Sequence, residues 1–122
     1  MIIISGGYGY SSDDYEYSVE LYNPKTGSTC LLPDLPDYRV SPVGTGLKVC
    51  GGNWDSMNCL LYAGGDWVTA NILTTNRVGS SNYESSHGPI IMGGYDTAAN
   101  AEALGLSGEY SSEVHFELTS ER

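Results

Sequence analysis

The sequence predicts an all-β chain built from one sheet unit repeated nearly three times, and three observations predict it. A glycine pair recurs behind an apolar run, as IIISGG, LKVCGG and PIIMGG, at Gly6-Gly7, Gly51-Gly52 and Gly93-Gly94, with spacings of 45 and 42 residues. That is the period of a four-stranded antiparallel unit repeated in an array. The 122 residues include 16 Gly and 10 Tyr against only 16% charged residues, a balance suited to strands and tight turns. No stretch sustains an apolar face at helical spacing, so helix is expected to be nearly absent.

Within the first unit, Ile2-Ile3-Ile4 is a continuous apolar run, as expected of a strand buried on both faces. SVELYNPKTGSTC (18–30) then alternates into a turn at Asn23 to Gly27, followed by a short strand and LPDLPDYR (32–39). In the second unit MNCLLYAGGDWVTANI (57–72) repeats the order: Cys59-Leu60-Leu61-Tyr62 falls where Val19-Glu20-Leu21-Tyr22 fell, a Gly-Gly-Asp turn follows, and Trp67 opens the short strand. Arg77 takes the place of Arg39. The third unit opens on Ile90-Ile91-Met92 and continues as AEALGLSGEYSSEVHFELTS (101–120), with strands expected near Ala103–Leu106 and Glu113–Leu118 around a turn at Ser107-Gly108. The units are placed at 1–38, lacking its innermost strand, at 39–76, and at 77–122, the most degenerate.

A Gly-Gly ending one strand, a Tyr in the next, an aromatic a few residues on and an Arg leading into the following unit together resemble the kelch repeat. The resemblance runs from Ile2 to Leu118 and implies a kelch-type β-propeller segment of about two and three-quarter four-stranded antiparallel blades. Three departures stand out: Cys30 occupies the place of the family's usual Trp, the step from Tyr62 to Trp67 is short, and the third repeat has no clear Trp. On this reading Gly6, Gly7, Gly51, Gly52, Gly93 and Gly94 are structural, letting neighbouring backbones approach. Tyr22, Tyr62 and Trp67 fill the space between blades while keeping a polar handle. Propellers close with typically 4–8 blades. The chain is therefore expected to be a fragment of a longer protein with further repeats, a homodimer that completes a six-repeat ring, or a small open array with capped ends.

With 15 acidic against 5 basic residues the net charge is −10, which repels phosphate backbones and anionic membrane surfaces, so neither nucleic acid nor membrane is expected as a partner. No apolar run is long enough to span a bilayer as a helix, and MIIIS lacks the basic start and length of a signal peptide. His87 and His115 fall in different units with no acid placed beside them, and no helix follows the glycine pairs to hold a phosphate. No catalysis and no cofactor are expected. The kelch-like copper oxidases, one further reading that the resemblance opens, need clustered Tyr and His ligands for which there is no local signature.

Three cysteines, Cys30, Cys50 and Cys59, show no Cys-x-x-Cys and no His at ligand spacing, so no metal site is expected. Cys50 ends one strand and Cys59 begins its antiparallel neighbour, which allows a disulfide in an oxidising compartment and two buried thiols otherwise. Cys30 is expected to be buried and reduced. The lack of an Asn-x-Ser/Thr acceptor leans toward the cytoplasm, while an oxidised Cys50–Cys59 pair would be compatible with an extracellular chain; the compartment stays open.

Strand parity identifies a candidate surface. In a four-stranded antiparallel unit the loop from the second strand to the third and the link from the fourth to the next unit emerge at the same end. That face collects residues 8–17, 33–39, 53–57, 72–77 and 95–100. Tyr8, Tyr10, Tyr15, Tyr17, Trp54 and Tyr95 offer rigid amphipathic area there, and Arg39 and Arg77 offer forked donors for a partner's acidic groups. Asp13, Asp14 and Glu16 lack the spaced pattern of a calcium loop. The expected function is a non-catalytic interaction module that binds a peptide or protein loop across this face. The alternatives are a structural part of a larger propeller with no ligand contacts of its own, and a copper-oxidase fragment.

Overall fold

A computed structural model of the chain describes residues 2–9, 14–86, 88–95, 100–104 and 111–114, with only the backbone described at residues 2, 4 and 111–114. Among the described residues every regular element is a β-strand and every strand pairing is antiparallel. The first unit holds β1 (Ile2–Ser5), β4 (Val19–Asn23) and β5 (Ser28–Leu32) in one sheet, in that order. A small hairpin of β2 (Tyr8–Gly9) and β3 (Asp14–Tyr15) lies between β1 and β4 in the chain. The second sheet runs β6 (Val43–Thr45), β7 (Lys48–Cys50), β8 (Asn58–Ala63) and β9 (Asp66–Ile72). The third runs β10 (Ser81–Ser85), β11 (Gly88–Met92), β12 (Ala101–Leu104) and β13 (Ser111–Val114).

The second sheet is covered on both faces, which is why its strands carry apolar residues on both sides of the pleat. Val43, Cys50, Cys59 and Leu73 pack with Ile91 and Leu104 of the third sheet. The alternate residues Val49, Leu60 and Trp67 pack with Val19 of the first sheet and Leu35 of the following link, with Ile3, Leu32 and Tyr62 against them. The period of two is visible in the register: Val49 pairs Leu60 on one side, and Cys50 pairs Cys59 on the other. Each buried Val or Leu there is worth roughly 1.5–3 kcal/mol relative to exposure. Cys50 and Cys59 are joined by a disulfide.

Two expectations need correction. In the third unit the strands begin at Ala101 and Ser111, earlier than the sequence pattern suggests, while the expected turn at Ser107-Gly108 and the expected strand ends at Leu106 and Leu118 lie outside the described residues. Glu102, in the first of these strands, is 0% exposed and meets buried Arg77. Cys30 is exposed and free rather than buried. The turn between β4 and β5 is longer than that between β8 and β9, so Thr29 pairs Tyr22 as Trp67 pairs Tyr62, and Cys30 matches Val68, which is also exposed. Cys30 is therefore not the counterpart of Trp67.

Candidate functional site

Successive units are joined through a relay of glycine and arginine. Gly7 N donates to Arg39 O at 2.7 Å, and one unit on Gly52 N donates to Arg77 O at 2.6 Å. The approach is too close for a side chain: a Cβ on Gly51 would run into the Arg77 carbonyl, and one on Gly6 into that of Arg39. Each arginine then turns its side chain into its own unit. Arg39 Nη1 donates to the carbonyls of Gly51 at 3.0 Å and Asn58 at 2.8 Å, and Nη2 donates to Asn58 Oδ1 at 2.5 Å. Arg77 repeats this with Gly93 O at 2.8 Å, Asn100 O at 3.3 Å and Asn100 Oδ1 at 2.5 Å.

The remaining donors are matched by acids. Arg39 Nε lies 2.8 Å from Asp37 Oδ1 and Arg77 Nε lies 2.6 Å from Glu102 Oε2. With Arg39 at 0% and Arg77 at 1% exposure, neither guanidinium reaches solvent. This corrects the expectation that Arg39 and Arg77 meet a partner's acidic groups. Their planar forks serve main-chain carbonyls and neighbouring side chains, holding the loop end of each sheet in place.

Above this relay the structure brings aromatic rings from all three units into one ridge. Residues 6–18 between β1 and β4 outrun their counterparts 51–58 and 93–100, and the extra length forms the β2–β3 hairpin. Tyr8 and Tyr15 pair across it, ring centroids 5.3 Å apart and edge to face. Tyr15 stacks on Tyr38 of the first link at 4.4 Å and 19°. Tyr38 Oη accepts from Trp54 N at 3.2 Å, and Trp54 meets Tyr95 edge-on at 5.6 Å and 87°. Tyr15, Trp54 and Tyr95 remain exposed.

Local polar groups set the pose of Trp54. Buried Asn53 accepts from Asp55 N at 2.8 Å and Ser56 N at 3.0 Å through Oδ1, and its Nδ2 donates to Tyr38 O at 3.0 Å. Such an Asx turn fixes the chain around the next residue and leaves its ring outward. From the other side Asn76 Nδ2 donates to Trp54 O at 2.9 Å. The residue before each relay arginine, Tyr38 or Asn76, thus grips the Trp54 backbone.

Of the residues expected on this face, Tyr8, Tyr15, Trp54 and Tyr95 are brought together in the ridge. Tyr17 is exposed beside it, its carbonyl accepting from Leu35 N at 2.8 Å, and among the described residues no ring contact joins it to the others. Tyr10, Asp13, His87 and His115 lie outside the described residues. Tyr38, Asn53 and Asn76 are members that sequence reasoning missed. The signal for Tyr38 is its place in LPDLPDYR, immediately before the arginine.

Trp67 is buried and its Nε1 donates to Pro33 O at 2.8 Å, tying the second sheet to the link that leaves the first. Tyr62 lies against it, ring centroids 5.6 Å apart, and Tyr22 is half-buried. The acids near the hairpin are engaged locally. Asp14 Oδ1 accepts from Tyr15 N at 2.8 Å, and Glu16 Oε1 accepts from the Ser18 hydroxyl at 2.7 Å and from Ser18 N at 3.3 Å. The Ser18 hydroxyl, then the Ser18 amide, holds the Glu16 carboxyl below its ordinary value. Among the described residues no group of three or more His, Cys, Asp or Glu is placed to hold a metal ion. No protein-family model matches the chain, and comparison with curated proteins finds no match.

Proposed function

We propose that the chain is a kelch-type β-propeller segment that works as a non-catalytic interaction module, binding a peptide or protein loop across its aromatic ridge. The observation that carries this reading is the run of Tyr8, Tyr15, Tyr38, Trp54 and Tyr95 across three successive units, set on loops that the glycine–arginine relay holds rigid. Tyr and Trp present large contact area with few rotatable bonds, the composition of recognition surfaces on rigid scaffolds. The three consecutive antiparallel sheets, in each of which the strands neighbour one another in chain order, support the blade assignment.

Peptides selected from a random displayed library against the chain test this. Trp54→Ala should abolish their binding, while Leu31→Ala, an exposed change on the outer strand β5, should leave it intact. Selected peptides indifferent to Trp54→Ala would refute the reading.

A second reading, that the units complete a larger ring, is favoured by one specific observation. Among the described residues β1 is paired on one edge only, with β4, whereas β7 and β11 are paired on both edges. A monodisperse dimer in light scattering would support closure by a second copy.

A further inference from the structure

We infer that the occupant of the ridge is a cationic segment, one that carries arginine or lysine side chains. The inference rests on the interaction reading above and adds the chemistry of the partner. The ridge has π faces and carboxylates at hand, and the cations placed beside it among the described residues are already engaged. Arg39 and Arg77, the basic residues at this end of the sheets among the described residues, are sealed from solvent and engaged by Asp37, Asn58, Glu102 and Asn100. Lys25 lies in the β4–β5 turn and Lys48 follows the β6–β7 turn, at the opposite end of the sheets, where Lys48 Nζ donates to Asn71 Oδ1 at 2.8 Å.

The acids are distributed otherwise. Asp14 and Glu16 are exposed in the hairpin that carries Tyr15, and Asp55 is exposed next to Trp54. Asp34 is exposed in the link that leads to Tyr38. Glu16 also stays ionised to lower pH than an ordinary glutamate, since Ser18 donates to it twice. The faces of Tyr and Trp rings attract cations through their quadrupole, and the surrounding carboxylates add a field of the same sense. An acidic segment would meet like charge here with no exposed cation among the described residues of this face to answer it. A guanidinium stacked on Tyr38 or Trp54, with Asp55 or Asp14 beside it, satisfies both groups at once.

The test uses three blocked pentapeptides of one design, Arg-Gly-Arg-Gly-Arg and its versions with citrulline or glutamate in place of arginine, titrated against the whole chain and followed by calorimetry. Citrulline keeps the planar group and loses the charge. The arginine peptide should bind at least about tenfold more tightly than either of the others, and weaken as salt is raised. Because a net charge of −10 attracts any polycation, position is tested separately. Trp54→Ala and the isosteric pair Asp14→Asn with Asp55→Asn should each weaken the arginine peptide, and Leu31→Ala should not. Equal binding of the arginine and citrulline peptides overturns the inference, as does indifference to both ridge variants. If library peptides bind in a Trp54-dependent way but prove acidic or neutral, the cationic rule falls while the interaction reading stands.

Discussion

Arg77 Nε and Glu102 Oε2 lie 2.6 Å apart with their side chains 1% and 0% exposed, so the link between the second and third units turns on a charge pair that solvent does not reach. The corresponding pair one unit earlier, Arg39 with Asp37, has its acid 32% exposed. The difference decides how much each acid matters.

Removing one member of a sealed pair strands the other in a low-dielectric site. Glu102→Ala is expected to destabilise the chain by about 3–5 kcal/mol, whereas Asp37→Ala, where water can partly replace the lost oxygen, should cost about 1 kcal/mol. Urea unfolding of the two variants checks the ranking; equal midpoints would contradict it.

A methyl group at Gly51 has nowhere to go, because the Arg77 carbonyl occupies its place and φ is +70°. Gly51→Ala should cost about 3 kcal/mol or more, combining backbone strain with a displaced relay bond. Gly64→Ala, in an open turn, meets no neighbour and should cost only about 1–2 kcal/mol. Thermal unfolding of both variants separates steric contact from dihedral preference.

The Cys50–Cys59 bridge closes the loop that presents Trp54. The matching pairs are Ser5 with Val19 and Met92 with Ala101, so the sheet tolerates other residues at this place. Cys50→Ala with Cys59→Ala should fold to the same strand content with stability lower by about 2–3 kcal/mol, the loss expected for a closed loop of this length. Dithiothreitol should lower the melting temperature of the unmodified chain and leave that of the double variant unchanged.

Glu16 gives a pH signature. Its carboxyl is held below the ordinary 4.5 by Ser18, first through the hydroxyl and then through the amide. A lowered folded-state value means that this bond contributes stability above the unfolded-state value and loses it as pH falls through the lowered one. The NMR titration of Glu16 should shift upward in Ser18→Ala. No upward shift would show that Ser18 is not the cause.

The three larger antiparallel sheets are legible in the sequence because a glycine pair follows one strand of each, where at Gly6 and Gly51 a neighbouring backbone comes close, and an apolar run precedes each pair. Arg39 and Arg77 are misread for the reason that makes them work. An arginine in a polar loop looks like a contact residue, and only the fold shows that Asn58 and Asn100 stand opposite to receive it. A trace of that arrangement exists, since Asn58 and Asn100 are spaced by the same 42 residues as Gly51 and Gly93. Tyr38 belongs to the ridge through a stack on Tyr15 and a hydroxyl bond to Trp54, long-range relationships that strand parity narrows to a segment without choosing the residue.

The relay between units runs through peptide groups, two arginines and their fixed acceptors, and draws on none of the side chains at Trp54, Asp55, Ser56 or Met57. Those four positions are accordingly decoupled from the framework that displays them. The tip of this loop can be rewritten residue by residue, to another chemistry altogether, while the sheets beneath keep their assembly.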